Sequence, residues 1–344
     1  MKVCLFTDVH WSKNTSIVRS RGEKYSTRLE LLINSMNWVN DLAVEQNCTA
    51  MFCLGDFFDK STLDDEEISA LREIKWNKLY TYYIVGNHES SVSSLEFSTT
   101  SLFRNNRVRI ISKPTFISNI NGCIIVCLPY ITDDSKKYLN EYLKDFPKEK
   151  KIVVLSHNDI KGIKYGAFES KTGFDINEIE ANCDLYINGH LHNGAWITNT
   201  ILNAGSLSAH NFTNDSYAYR YGAWILDTTT LELTFYENPY SLNFYKIDID
   251  NEKDFNKFTG LKNNAVVSVK CREDLADAVR NRLVASNIIE SKLMLYSNTV
   301  VEDTSALKDV ITSDHLVKFR DFILSRDDIS NIDIFKEELL EVCK

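Results

Sequence analysis

Five short polar clusters contain the residue types that bind metal ions and activate water. They are Asp8-Val9-His10, Gly55-Asp56-Phe57-Phe58-Asp59, Gly86-Asn87-His88-Glu89, Ser156-His157 and Gly189-His190-Leu191-His192, and they hold five of the chain's seven histidines. Taken singly, a Gly-Asp pair is more typical of a turn, and a lone histidine is more typical of a packed or surface residue. The occurrence of all five clusters in one chain instead predicts a metal site.

The ligand types in these clusters indicate which metals would bind. Carboxylate, imidazole and amide oxygen donors without thiolate suit manganese or iron, with magnesium or zinc as alternatives. The donors are too many for one tetrahedral site, which favours two divalent ions about 3.5–4 Å apart. Two such ions would have charge left after pairing with Asp8 and Asp56 to hold a phosphate and a hydroxide. This pattern predicts hydrolysis of phosphate esters, with a protonated histidine assisting the leaving oxygen.

Each cluster directly follows an apolar run of strand length. The runs are 3–7, 50–54, 81–85, 152–156 and 185–188. Functional groups in open α/β sheets collect at the carboxyl ends of the strands, so the five clusters should meet at one edge. Helical spacing of apolar residues predicts helices at 28–45 and 63–79, and the alternation of strands and helices predicts an α/β sandwich.

Composition limits the classes of protein that the chain can belong to. It has 44% hydrophobic and 25% charged residues, which is typical of a globular protein with a substantial core. No apolar run is long enough to span a membrane and no signal peptide is recognisable, so we expect a cytoplasmic protein, in the host cytoplasm if it is phage-encoded. The eight cysteines are predicted to be reduced and mostly buried. A net charge of −9 limits any binding of nucleic acid to a local basic channel.

In this order, the five motifs resemble the signature of the calcineurin-like metallophosphoesterase superfamily, over about residues 1–210. The resemblance implies a four-layer β-sandwich flanked by helices, with Asp56 bridging two ions. It implies that one ion is held by Asp8, His10, Asp56 and His192. It implies that the other is held by Asp56, Asn87, His157 and His190. His88 is implied as the catalytic residue, a general acid or a phosphate-orienting group that does not bind metal.

Finer motifs resemble the DNA-repair nuclease branch, namely the SbcD type and the recombination endonuclease subunits of tailed phages. They are Gly55-Asp56-Phe57-Phe58-Asp59, Leu128-Pro129-Tyr130 and Asn203-Ala204-Gly205-Ser206-Leu207. The resemblance implies a nuclease domain at 1–238, a small α+β DNA-capping domain at 239–300 and a helical tail at 301–344. The tail would bind an SMC-like ATPase subunit of the SbcC type, and the nuclease would be a homodimer acting on DNA.

The predicted function is therefore a manganese-dependent DNA exonuclease or endonuclease in repair, recombination and replication. A protein phosphatase or a phosphodiesterase of small nucleotides, with the same dimetal core, is the alternative. Protein phosphatases of the superfamily usually continue the second motif with Asp-Arg-Gly, whereas here Asp59 is followed by Lys60 and Ser61. A non-catalytic scaffold is disfavoured because no expected ligand is missing.

Some residues near the motifs carry weaker predictions. Glu89 stands where nuclease relatives commonly have Asp and is expected to orient an imidazole. Asp59 stands where some relatives have His, and a role in positioning substrate is open for it. His210 could reach the rim of the active site, but a loop histidine is the favoured prediction. The basic residues at 13–28 could contact DNA phosphates or form a solvated loop.

Overall fold

The structure is a computed structural model that describes residues 1–15, 17–91, 94–103, 106–120, 123–131, 139, 143, 150–165, 168–286 and 288–297. Met1–Tyr296 form one compact unit. The boundary predicted at 239 lies inside this unit, and the division into domains stays a prediction. The predicted helical tail at 301–344 lies outside the described residues.

The elements follow one another along the chain in the order in which they are numbered. The strands are β1 (Lys2–Phe6), β2 (Cys48–Cys53), β3 (Tyr80–Ile84), β4 (Ser90–Ser91), β5 (Ser94–Ser98), β6 (Val108–Ile111), β7 (Thr115–Ile120), β8 (Cys123–Leu128), β9 (Lys151–Ser156), β10 (Lys164–Tyr165), β11 (Phe168–Glu169), β12 (Leu185–Asn188), β13 (Ala195–Trp196), β14 (Ile201–Asn203), β15 (Gly222–Asp227), β16 (Leu233–Glu237), β17 (Asn243–Ile249), β18 (Ala265–Arg272) and β19 (Ile288–Tyr296). The α-helices are α1 (Thr27–Glu45), α2 (Asp65–Leu71), α3 (Ile176–Asn182) and α4 (Ala276–Ala285), and 3₁₀ helices occur at Thr99–Phe103, Glu252–Gly260 and Glu273–Leu275.

Two six-stranded sheets dominate the fold. The first has the order β16-β15-β1-β2-β3-β6, in which β1, β2, β3 and β6 are parallel. The second has the order β13-β14-β12-β9-β8-β7, in which β14, β12, β9 and β8 are parallel. All five strands predicted to carry the polar clusters are present, and they lie in the parallel parts of the two sheets.

The two sheets pack face to face, and alternating side chains along each strand form three apolar layers. In β1, Val3 and Leu5 face the second sheet, whereas Cys4 and Phe6 face α1. The second sheet repeats this pattern, with its outer face covered by residues that include Ile179 of α3. Strands buried on both faces are expected to be continuously apolar, as these are. The predicted four-layer α/β sandwich is confirmed.

The two predicted helices of the first sheet have different outcomes. α1 is confirmed, and Ser26 caps it by accepting a hydrogen bond from the N–H of Leu29. α2 ends at Leu71, so the helix predicted to continue to residue 79 is too long. The N–H groups of Lys75 and Asn77 donate instead to side-chain oxygens of Asn37 and Asn40 on α1, at 2.7 and 2.9 Å.

A third, three-stranded parallel sheet follows the two large ones. Its order is β17-β18-β19, and α4 and a 3₁₀ helix cover one face around Val267 and Val279. Phe244 and Val266 on the other face pack with Val18, which follows the first polar cluster. Among the described residues, no helix is both long and apolar enough to cross a bilayer.

Candidate metal centre

Neighbouring parallel strands bring the first two polar clusters side by side. Beyond β1 and β2, the N–H of Asp8 donates to the carbonyl of Gly55, and the N–H of His10 donates to that of Asp56, each at 3.1 Å. The N–H of His190, which follows β12 in the other sheet, donates to Asp8 Oδ2 at 3.1 Å. The clusters of the two sheets therefore meet at one edge of the sandwich, as the sequence predicted.

Several residues of these clusters have a backbone conformation that L-residues rarely adopt. The φ angles are 50° at Asp8, 48° at His10, 48° at Asp56 and 72° at His190. Such conformations cost about 1–3 kcal/mol each and concentrate at functional sites, where the surrounding structure holds them. Here these backbone conformations direct the side chains of the four residues toward the candidate metal centre.

Close approach explains the glycines that precede two of the clustered residues. Gly55 has a φ of 112°, and a Cβ at this position would overlap the ring of His157. A Cβ at Gly86 would overlap the carboxylate of Asp56. A side chain at Gly55 would push the polar loops of the two sheets apart, and one at Gly86 would separate two neighbouring loops of the first sheet.

One set of donors gathers around Asp8. Its Oδ1 atom is buried without a hydrogen-bond partner and lies 3.8 Å from both His10 Nε2 and His192 Nε2. The two imidazole nitrogens are 2.9 Å apart. A buried carboxylate oxygen that is left unpaired beside two nitrogens fits a divalent cation, since the ion would satisfy all three groups.

A second set gathers around Asn87. Its Oδ1 atom lies 3.2 Å from His157 Nε2 and 3.1 Å from His190 Nδ1. His157 Nε2 also lies 3.0 Å from Asp56 Oδ2. The structure thus brings Asp56 together with the three other residues that were predicted to hold the second ion.

Asp56 lies between the two sets. Its donor oxygens group with His157 and His190 on one side and with His10 and His88 on the other, within 4.8 Å. Asp56 Oδ1 also accepts a hydrogen bond of 2.9 Å from the N–H of His88. This position is the one that a bridging carboxylate requires.

Comparison with known proteins assigns this centre to a family. The model of the calcineurin-like phosphoesterases matches residues 1–194, which include all five polar clusters. The chain belongs to the calcineurin-like phosphoesterase family. It is therefore a metal-binding hydrolase of phosphate esters, and the donor sets described above are suited to the divalent ions that the family uses. No curated protein matches the chain.

Solved structures that resemble this phosphoesterase are distant. An archaeal phosphodiesterase is 12% identical, with 69% of this chain and 99% of that chain covered and a TM-score of 0.36. A dimetal phosphatase from Danio rerio is 12% identical, with 65% and 91% covered and a TM-score of 0.37. The calcineurin-like phosphoesterase YfkN from Bacillus subtilis is 10% identical, with 69% and 88% covered and a TM-score of 0.37.

The phosphoesterase orients its imidazoles through their second nitrogens. His157 Nδ1 lies 2.8 Å from the carbonyl of Leu54, which leaves Nε2 for the centre. His10 Nδ1 lies 3.0 Å from Asp59 Oδ1, and His190 Nε2 lies 3.3 Å from Asp159 Oδ1. Such partners fix the tautomer and make the ligating nitrogen more basic. The sequence did not indicate that Asp59 and Asp159 have this role.

The charges of the centre favour cations. Burial opposes protonation of His10, but its hydrogen bond to Asp59 and the nearby carboxylate of Asp8 raise its pKa to about 10. Burial also opposes protonation of His157, but the charge of Asp56 raises its pKa to about 9. The carboxylates thus create a negative potential that holds protons on two imidazoles. Divalent ions would supply the same compensation.

We expect Asp59→Ala to weaken Mn²⁺ binding by about 10–100-fold, because His10 loses the partner that orients its ring. Isothermal titration with Mn²⁺ measures the affinity. Asp59→Asn keeps an acceptor for His10 Nδ1 and should lose less, and Asp277→Ala, at an exposed carboxylate of α4, should match the wild type. Equal affinities for the wild type and Asp59→Ala would contradict this role of Asp59.

His210 and Arg28 both lie beside the centre, so the loop residue His210 takes the position at the rim that was the less favoured alternative. The ring of His210 lies 4.9 Å from that of His10. Arg28 is buried at the start of α1, and its Nη2 donates to the carbonyl of His10 at 2.9 Å and to His210 Nδ1 at 3.0 Å. Its place one turn before Leu32, on the apolar face of α1, is the pattern that could have revealed its burial.

Three other cations of the basic segment pair with acidic residues of α2 and its surroundings. Ion pairs join Lys13 to Asp64 at 2.6 Å and Lys24 to Glu73 at 2.5 Å, and a further pair joins Arg21 to Glu66. These side chains remain largely exposed, as in a solvated loop, and contact of this segment with DNA phosphates stays a prediction.

Glu89 was predicted to orient an imidazole. In the structure its carboxylate instead binds backbone N–H groups of two loops. Its carboxylate is fully buried and accepts hydrogen bonds from the N–H groups of Phe58, at 3.1 Å, and Gly86, at 3.0 Å. Burial, assisted by the charge of Asp56, raises the pKa of Glu89 to about 7. The longer side chain thus ties the second polar cluster to the third.

Proposed function

We propose that this phosphoesterase is a DNA nuclease, cutting phosphodiester bonds with two Mn²⁺ ions as cofactor. It would act in the cytoplasm as a homodimer with an SMC-like ATPase subunit in repair, recombination and replication. The segment at 301–344, outside the described residues, is the proposed ATPase-binding tail. The third sheet and α4 are the proposed DNA-capping module.

One observation carries the proposed chemistry: two donor sets share Asp56. Asp8, His10 and His192 would hold one ion with it, and Asn87, His157 and His190 would hold the other. The ions, when bound, lower the pKa of water and neutralise charge on the phosphoryl oxygens. The protein contributes fixed ligands, because a carbonyl or carboxylate holds the second nitrogen of three of the four imidazoles.

His88 is placed to exchange a proton with substrate. Its Nδ1 lies 3.1 Å from the carbonyl of Asp59, so this nitrogen carries a hydrogen and Nε2 is the atom left for the leaving oxygen. The side chain is 44% exposed, whereas the nearby ring of His10 is buried. In its imidazolium form the exposed ring carries a second proton on Nε2, which it can donate to the departing oxygen, and the neutral ring with hydrogen on Nδ1 remains.

The surroundings of the centre disfavour a phosphoprotein substrate. Family members that act on phosphoproteins usually have arginines soon after the second and third motifs. This chain has Lys60 and Ser90 after those motifs. The ammonium of Lys60 pairs with Glu67 at 3.0 Å and is turned toward α2. A phosphoprotein would therefore lack the bidentate clamp that arginine provides.

A phosphodiesterase of small nucleotides is the second candidate, and one observation favours it. A cavity of about 670 Å³ adjoins His190 and His192, and it is large enough for a nucleoside. The cavity is also compatible with a nucleotide of a longer strand. Substrate comparison separates the two functions.

The test incubates the protein with Mn²⁺ and labelled linear duplex DNA, single-stranded DNA, a cyclic nucleotide and a phosphopeptide in parallel. Asp56→Asn and a chelator are the controls. The proposal expects DNA cleavage that both controls abolish. Turnover of the cyclic nucleotide or the phosphopeptide without cleavage of DNA would replace the nuclease with the corresponding alternative.

A further inference from the structure

Aromatic residues from both large sheets gather near the metal centre, with Trp196 on β13 of the second sheet and Trp224 and Phe235 on β15 and β16 of the first. Trp196, in the edge strand β13, is 49% exposed. Together with Tyr219, Arg220, Trp224 and Phe235 it lines a shallow cavity of about 360 Å³. We refer to these five residues as the aromatic platform. Single exposed apolar residues are ordinary, whereas a contiguous aromatic group suggests a binding surface.

The aromatic platform is continuous with the metal centre. Tyr219 and Ala195 line both the platform's cavity and the 670 Å³ cavity beside His190 and His192. A ligand whose phosphate lies at the centre can therefore extend through the larger cavity to Trp196. The path is a feature of one compact unit and needs no second chain.

The lining of this path favours uncharged planar groups. Among the described residues that line the two cavities there is no carboxylate, and Arg220 is the only Lys or Arg. Carboxamides of Asn193, Asn211 and Asn214 line the larger cavity. Amides form hydrogen bonds with the edges of nucleobases, and aromatic rings stack on their faces, so this lining fits bases better than it fits charged peptide side chains.

The backbone holds the platform in place. β13 pairs antiparallel with β14, so that Trp196 lies opposite Leu202. The N–H of Tyr219 donates to the carbonyl of Asp215 at 2.9 Å, and the indole N–H of Trp224 donates to the carbonyl of Ala204 at 3.0 Å. The strand pairing and the backbone hydrogen bond fix where Trp196 and Tyr219 leave the main chain, and the indole hydrogen bond fixes the ring of Trp224.

We infer that the aromatic platform binds the unpaired bases of a single nucleic-acid strand whose phosphodiester occupies the metal centre, an inference that rests on the proposed function. Trp196 and Tyr219 stack with bases, the carboxamide N–H of Asn211 donates to a base edge, and Arg220 contacts a phosphate. Paired bases in a duplex hide their faces inside the stack, so the platform selects single strands or frayed ends.

The test compares Trp196→Ala and Tyr219→Ala with the wild type, and with Tyr80→Ala, which removes an exposed tyrosine of β3 outside both cavities. Binding of a fluorescent oligothymidylate is measured by anisotropy in chelator, so that no strand is cut. Each platform variant should bind about ten-fold more weakly, as expected for the loss of one stacked base, while Tyr80→Ala binds normally. Arg220→Gln should reduce the slope of the logarithm of the binding constant against the logarithm of salt concentration by about one, as expected for the loss of one phosphate contact.

Two further measurements separate this inference from the proposed function. Hydrolysis of bis(p-nitrophenyl) phosphate with Mn²⁺ should be unchanged in Trp196→Ala, since this small diester does not reach Trp196. Binding of a blunt duplex hairpin should also be unchanged. Oligothymidylate binding that is equal in all variants would overturn the inference, even if the wild type cuts DNA. A wild type that cuts no DNA would overturn the proposed function, and a selective loss of oligothymidylate binding would still support the platform.

Discussion

Asp56→Asn is expected to reduce hydrolysis of bis(p-nitrophenyl) phosphate by more than about 100-fold. Mutation of a residue that only orients a metal ligand already lowers metal affinity or activity by about 10–100-fold, and Asp56 is itself a predicted ligand. Asp56 contributes donor oxygens to groupings on both sides of the centre, and its Oδ2 atom faces His157 at 3.0 Å. Loss of its charge therefore weakens the binding of both ions. Asparagine nearly preserves the shape of the side chain and can still accept the hydrogen bond from the N–H of His88.

The metal content of Asp56→Asn gives a readout that does not depend on activity. Elemental analysis after dialysis against Mn²⁺ should find two ions in the wild type and fewer in the variant. Excess Mn²⁺ should raise the Tm of the wild type, because a ligand that binds only the folded state stabilises it, and should raise that of the variant less. Asp277→Asn is the matched control, since this carboxylate is exposed on α4. Two ions and full activity in Asp56→Asn would exclude a bridging role.

The convergence of the site could be predicted because it depends on local sequence. Each of the five predicted strands is apolar along its length and is followed by polar residues, and parallel neighbours place those residues at one edge. The match is close for β9, predicted at 152–156 and found at Lys151–Ser156. The length of α2 depends instead on Asn37 and Asn40, which are distant in sequence. Their side-chain oxygens accept hydrogen bonds from the N–H groups of Lys75 and Asn77, which a longer helix would pair within itself.

The residues that surround the ligands were harder to predict for the same reason. Asp59 and Asp159 orient His10 and His190, which are 49 and 31 positions away in sequence. Arg28 was assigned by charge to a basic segment, although its helical position places it beneath His10. Motif spacing thus predicts which groups meet, but it does not predict which nitrogen of each imidazole faces the centre.

The second large effect is expected for His88→Ala, which should cut DNA about 10²–10⁴-fold more slowly than the wild type while it keeps two bound ions. His88 is not one of the predicted ligands, and its Nδ1 bonds to the carbonyl of Asp59. Its removal should leave the donor sets of Asp8 and Asn87 intact. Elemental analysis and the rate of cleavage of labelled DNA together measure the two halves of this prediction.

The leaving group distinguishes the two roles open to His88. The leaving oxygen of DNA is an alkoxide that needs a proton, whereas p-nitrophenolate departs as a stable anion. If His88 is the general acid, His88→Ala should lose far more activity on DNA than on bis(p-nitrophenyl) phosphate, because only the first substrate requires the proton at Nε2. Equal losses on the two substrates would assign His88 to orienting the phosphate instead. Asp159→Ala is the matched control, since it removes the carboxylate beside the predicted ligand His190 and should slow both substrates alike.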